Sequence, residues 1–221
     1  MRWPRTVESA RRLQVRLLSG LNTTIPLRRV RLIAGVDLAY APSGDRAWAG
    51  VVVLALPDLD PVESVWAAGS PAFPYIPGYL SFREGPLILK AVRRLRSTPD
   101  LWLFDGQGIA HPRGFGLAAH VGLLLNAPSV GCAKSRLVGT HQEPGRFRGA
   151  WSPLRYQGET VGAVLRTRTG VRPLYVSPGH LIDLPSSIQW VLAASPRFRV
   201  PEPIRQAEGL VNRLKRTRTT T

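Results

Sequence analysis

The chain has 221 residues, 44% of them hydrophobic, which suits one folded core and excludes disorder as the default. Lys and Arg number 30 against 14 Asp and Glu, giving a net charge of +16 and a pI near 11.5. Such an excess concentrates polyanions, nucleic acid above all, in a salt-dependent way; an arginine-rich background composition is the plainer source of the same numbers.

From the N-terminus, Thr6 to Leu18 predicts a helix with Val7, Ala10, Leu13, Leu17 and Leu18 on its inner face. Arg31 to Val36 and Ala49 to Leu56 predict strands joined through the turn Pro42-Ser43-Gly44-Asp45. Val62 to Ala67 alternates as a third strand, completing a meander. An aromatic, proline-stiffened loop follows, and Arg83 to Arg96 predicts a helix with Glu84 and Pro86 in its first turn. Leu101 to Phe104 is a short apolar strand of the type buried on both faces.

A glycine-rich loop, Gly106-Gln107-Gly108, leads to a helix over Phe115 to Leu125, and Ser129 to Ala133 predicts a fifth strand. Cys132, the only cysteine, lies in that strand, so its role is packing. A lone cysteine also excludes an intrachain disulfide and a cysteine-based zinc site. Thr160 to Thr167 and Arg172 to Val176 suit a hairpin, Leu184 to Ala194 and Pro203 to Leu214 read as helices, and the tail from Lys215 is polar. Residues 1–221 are expected to form a single domain, since no linker divides them. No apolar run approaches a membrane span and no leader pattern opens the chain, so a soluble, cytoplasmic protein is expected. The element order predicts an α/β fold, a ribonuclease H-like mixed β-sheet flanked by helices, a step that rests on analogy.

Three acids sit where structure alone explains them poorly. Asp37 follows one apolar run, Asp105 follows another, and Glu84 begins a helix. An ionised carboxylate at a buried strand end costs several kcal/mol unless a cation compensates it. Converging, the three would suit divalent metal ions.

The runs Pro74-Tyr75-Ile76-Pro77-Gly78-Tyr79-Leu80-Ser81-Phe82-Arg83-Glu84, Asp105 to Arg113 and Gly131-Cys132-Ala133-Lys134 together resemble the endonuclease V family. The similarity extends from about Gly35 to Glu208. It implies a nuclease that nicks DNA 3′ to deoxyinosine at the second phosphodiester bond, leaving 3′-hydroxyl and 5′-phosphate. It also implies that Asp37, Glu84 and Asp105 bind Mg²⁺, with Mn²⁺ as a substitute, and that Lys134 contacts the scissile region. Glu208 stands where the family often has a His or Asp directed at the metal site, and its role, as catalytic ligand or plain helix acid, stays open.

The same resemblance assigns Gly78, Leu80, Gly106, Gly116 and Leu117 to a pocket for the everted base. Tyr75, Ile76 and Pro77 form a wedge that fills the gap left in the stack. His111 is placed at a phosphate, and His120 is a packed or hydrogen-bonded residue. The resemblance implies DNA containing deoxyinosine as the partner, and a monomer is expected. An endoribonuclease for inosine in RNA, a non-catalytic nucleic-acid binder and an incision module of a larger repair complex are the rival readings.

Overall fold

The computed structural model describes residues 3–218. The elements run α1 (Val7–Leu18), β1 (Leu32–Tyr40), β2 (Ala47–Ala55), β3 (Asp60–Gly69), α2 (Leu80–Val92), β4 (Leu101–Phe104), α3 (Leu117–Leu125) and β5 (Ser129–Ala133). They continue with β6 (Trp151–Tyr156), β7 (Glu159–Leu165), β8 (Leu174–His180), α4 (Leu184–Ala193) and α5 (Glu202–Arg218). One eight-stranded sheet has the order β3-β2-β1-β4-β5-β8-β7-β6, with β1, β4 and β5 parallel at its centre and antiparallel strands outside.

Alternation along the central strands divides the core into two layers. Ile33, Leu101 and Leu103 face Ile188 and Val191 of α4 and Ile204 and Ala207 of α5. Ala34, Val36, Trp102 and Phe104 face Ile88 and Ala91 of α2 and Leu117 and Val121 of α3. Helices therefore cover both faces, as the ribonuclease H-like expectation requires.

Several boundaries move, each for a physical reason. The expected strand ending at Val36 continues through Asp37 to Tyr40, because β2 pairs with it up to Tyr40 opposite Ala47. Its ladder with β4 ends at Val36 opposite Phe104, so Asp37 emerges where that neighbour stops. The helix expected from Arg83 begins at Leu80, which puts Glu84 in the second turn and Pro86 inside the helix rather than in its first turn. The hydrogen bond that Pro86 cannot donate is offset by the burial of Phe82, Leu87, Ile88 and Ala91 along the packed face.

In α1, Val7 and Leu18 are exposed, while Gln14 is buried beside Ala10 and Leu13. Strand β6 was not expected: Pro153 weakens the strand signal, and it is tolerated because β6 is an edge strand. The expected hairpin partners, now β7 and β8, do pair. Lys215 to Arg218 continue α5, and the rest of the expected tail lies outside the described residues.

Candidate active site

Parallel pairing brings Asp37 and Asp105 together. Val36 and Phe104 are register partners, and the Asp105 amide donates to the Val36 carbonyl at 3.5 Å, so the two aspartates emerge side by side where the ladder between β1 and β4 ends. Lys134 leaves the next parallel strand one residue beyond β5 and places its Nζ 2.7 Å from Asp105 Oδ2.

Glu208 arrives because α5 lies directly on β1 and β2. Gly35 makes that approach possible: a Cβ there would stand 2.0 Å from the carbonyl carbon of Pro203. Ile204, Ala207 and Val211 bury the inner stripe of α5, and Glu208, one turn beyond Ile204, comes within 3.6 Å of Lys134 Nζ. Glu84 approaches from α2, on the other face, and accepts a hydrogen bond of 2.9 Å from the Tyr40 hydroxyl.

The electrostatics are those of crowded acids. Burial, with Asp105 adding repulsion, pushes the Asp37 carboxyl up to about 7, although Lys134 pulls the other way. Burial likewise pushes Glu84 up to about 8 against the Tyr40 hydrogen bond, with Asp37 and Asp105 adding to the rise. Burial disfavours the Lys134 ammonium, but the hydrogen bond and charge of Asp105, with Glu208 and Asp37, more than offset it and raise its pKa.

The three acids expected to share an ion thus lie in one another's field. Among the described residues, no three acidic, histidine or cysteine side chains are oriented closely enough together to grip an ion as they stand. Asp105 is held by Lys134 and Glu84 by Tyr40 instead. The donor set nevertheless fits a hard divalent cation. It is all carboxylate oxygen, and two of its members are buried acids whose ionisation wants a compensating charge.

Beside the acids lies a small cavity of about 50 Å³ lined by Gly78, Leu80, Ser81, Gln107, His111, Gly116, Leu117 and Leu137. Four of the five expected pocket residues line it. Gly106 stands behind instead, where a Cβ would meet Leu117 Cδ2 at 3.3 Å. Gln107, missed in the sequence, gives its Nε2 to the Ser135 carbonyl and leaves Oε1 without a hydrogen-bond partner.

The wedge segment leads directly into Gly78, which lines this cavity. Tyr75 is 71% exposed, whereas Ile76 packs partly against Phe73, Tyr79 and Phe82. Tyr79 is buried, with the Arg113 guanidinium 4.2 Å above its ring. The loop is tied down at Gly78, whose φ of +80° favours glycine and whose carbonyl accepts from Gln14, His111 and Arg113. Gln14 and Arg113 were missed, because only the fold brings residues about 64 and 35 positions away onto one carbonyl.

His111, expected at a phosphate, lies beneath the loop at Gly78. It is buried, its Nδ1 accepts from the Arg113 amide at 3.1 Å, and its Nε2 lies 3.0 Å from the Gly78 carbonyl. Burial and the Arg113 charge lower its pKa to about 4, so a neutral ring donates to Gly78, and both nitrogens are engaged within the protein. His120 is packed as expected, with Nδ1 2.9 Å from Ser81 Oγ.

Parallel central strands that bring Asp37 and Asp105 side by side, antiparallel strands outside them and helices on both faces define a nuclease of the ribonuclease H-like fold. The Endonuclease V family model matches residues 14–209. Endonuclease V of Roseiflexus sp. (strain RS-1) is 50% identical over 210 residues, covering 95% of this chain and 94% of that protein. The crystal structure of endonuclease V from Streptomyces avermitilis is similar with a TM-score of 0.94 at 40% identity, covering 98% of this chain and 96% of that one. Endonuclease V of Ciona intestinalis, solved with a 24mer DNA containing an inosine followed by a ribo-adenosine, shares the fold at 23% identity and a TM-score of 0.83, over 96% and 98% of the two chains. The chain belongs to the endonuclease V family.

Proposed function

We propose that the protein is a Mg²⁺-dependent endonuclease, with Mn²⁺ as a substitute, that hydrolyses the second phosphodiester 3′ to deoxyinosine and leaves 3′-hydroxyl and 5′-phosphate ends. The carrying observation is the meeting of Asp37, Asp105 and Glu208 around Lys134, with Glu84 in the field of the two aspartates, and a cavity lined by Gly78, Leu80, Gly116 and Leu117. A pure binder gains nothing from buried carboxylates that repel phosphate.

Asp37, Glu84 and Asp105 would hold the cation, with Glu208 a further oxygen ligand or an orienting group for water. Bound there, a divalent cation supplies Lewis-acid polarisation of the phosphoryl group and lowers the pKa of an attacking water. Lys134 offers a point charge to a phosphate oxygen and stabilises the charge that develops on the leaving oxygen. Tyr75 and Pro77 fill the gap in the stack while the backbone around Gly78, Leu80 and Gly116 reads the everted base at close range. An inosine pair is weaker than a normal pair, so eversion costs less at the lesion.

The test is incubation of the purified protein with a duplex bearing one deoxyinosine, with and without Mg²⁺ or Mn²⁺. A single nick at the second 3′ bond, dependent on the ion, is the expected outcome. Binding without any nick would leave only a binder. Faster cleavage of a matched oligonucleotide with ribonucleotide inosine would move the substrate to RNA.

A further inference from the structure

Tyr40 ends β1 three residues beyond Asp37, on the face of the sheet that α2 covers. Its hydroxyl donates to Glu84 Oε1 at 2.9 Å. The ring is held in turn by Arg83, whose guanidinium carbon lies 4.8 Å from the ring centroid. Arg83 is fixed by the carbonyl of Phe73 at 2.8 Å, in the aromatic loop, and by that of Gly44 at 3.1 Å, in the β1–β2 turn. Three separate segments therefore determine where one phenol oxygen sits.

Glutamate is a flexible side chain, and holding it in one rotamer without a partner costs conformational entropy. A hydrogen bond to one oxygen removes much of that freedom and leaves the second oxygen for another ligand. Groups that orient a metal-binding carboxylate in this way matter about as much as the ligand's own placement.

We propose that Tyr40 is a positioning residue of this nuclease: its hydroxyl, held by Arg83, fixes the Glu84 carboxylate in the orientation that receives the divalent cation. The inference rests on the reading of Glu84 as an ion ligand. It also links the ion site to the aromatic loop, because Arg83 touches both Phe73 and the Tyr40 ring.

Mn²⁺ binding to the purified protein, followed by the electron paramagnetic resonance of the free ion, tests it with Y40F, E84Q and the double variant. Phe preserves the ring under Arg83 and removes one oxygen, so Y40F should melt within a few degrees of the parent in chelator. Y40F should weaken Mn²⁺ binding about 10-fold, and its nicking should recover at higher Mn²⁺. In the E84Q background the same change should cost nothing further, which a purely structural tyrosine does not predict. Parent-like Mn²⁺ affinity in Y40F, or losses that add in the double variant, would overturn the proposal. Parent-like affinity in E84Q would instead remove Glu84 from the ion site, and the inference with it.

Discussion

The ammonium of Lys134, one residue beyond β5, lies 2.7 Å from Oδ2 of Asp105, one residue beyond β4. Two parallel neighbours thus end in opposite charges, and the lysine is the cation that the acidic cluster keeps closest. Lys134→Gln should lower the nicking rate about 100-fold at saturating Mg²⁺, as loss of one transition-state charge contact does, while leaving binding to inosine duplex nearly unchanged. Single-turnover nicking beside a mobility-shift titration checks this, and an unchanged rate would dismiss a chemical task for Lys134.

Asp37→Asn and Asp105→Asn remove charge without removing volume. Each should abolish detectable nicking and retain, or slightly strengthen, binding to inosine duplex, because a carboxylate facing phosphate is lost. Residual nicking by both variants would place the chemistry elsewhere.

The raised acids make the ion-free protein sensitive to alkali. Asp37 rises from an ordinary 3.8 to about 7 and Glu84 from 4.5 to about 8 in the folded state. The native protein therefore binds more protons than the unfolded chain through that window, and stability falls as pH climbs from about 4 to about 8. In chelator, the melting temperature should drop across this range. Glu84→Gln should flatten the drop and melt a few degrees above the parent near pH 8. A steeper fall in Glu84→Gln would reverse the sign of the argument.

Tyr75 is exposed and packs on little, so Tyr75→Ala should change folding stability by no more than about 0.5 kcal/mol. Its loss should cost about 1–3 kcal/mol of binding to inosine duplex, the worth of one aromatic stacking contact. Comparing melting curves with affinities for inosine and plain duplexes separates the two effects. Equal losses on both duplexes would make Tyr75 a general contact rather than a wedge.

Gly35 carries a different kind of prediction. A methyl group there meets the Pro203 backbone at 2.0 Å, so Gly35→Ala must lift α5 from β1. The expected cost is about 1–3 kcal/mol or more in urea titrations. Nicking should fall as well, since Glu208 rides on α5. A variant as stable and as active as the parent would show that the helix can shift freely.

The sequence alone determined the pieces that depend on neighbours along the chain. Continuous apolar runs located β1, β2, β4 and β5, and an aspartate at the end of a buried run announced itself by its desolvation cost. The aromatic loop was legible because its prolines, glycine and tyrosines lie within eleven consecutive residues. What depends on distant residues was decided only by the fold. The register of β1 against β4 aligned Asp37 with Asp105, and the close seat of α5 on Gly35 delivered Glu208. The same packing gathered Gln14, His111 and Arg113 on the Gly78 carbonyl and set the Tyr40 hydroxyl against Glu84. Such relations escape a linear reading because hydrogen bonds and burial act through space, between residues tens of positions apart, while propensity and pattern act only along the chain.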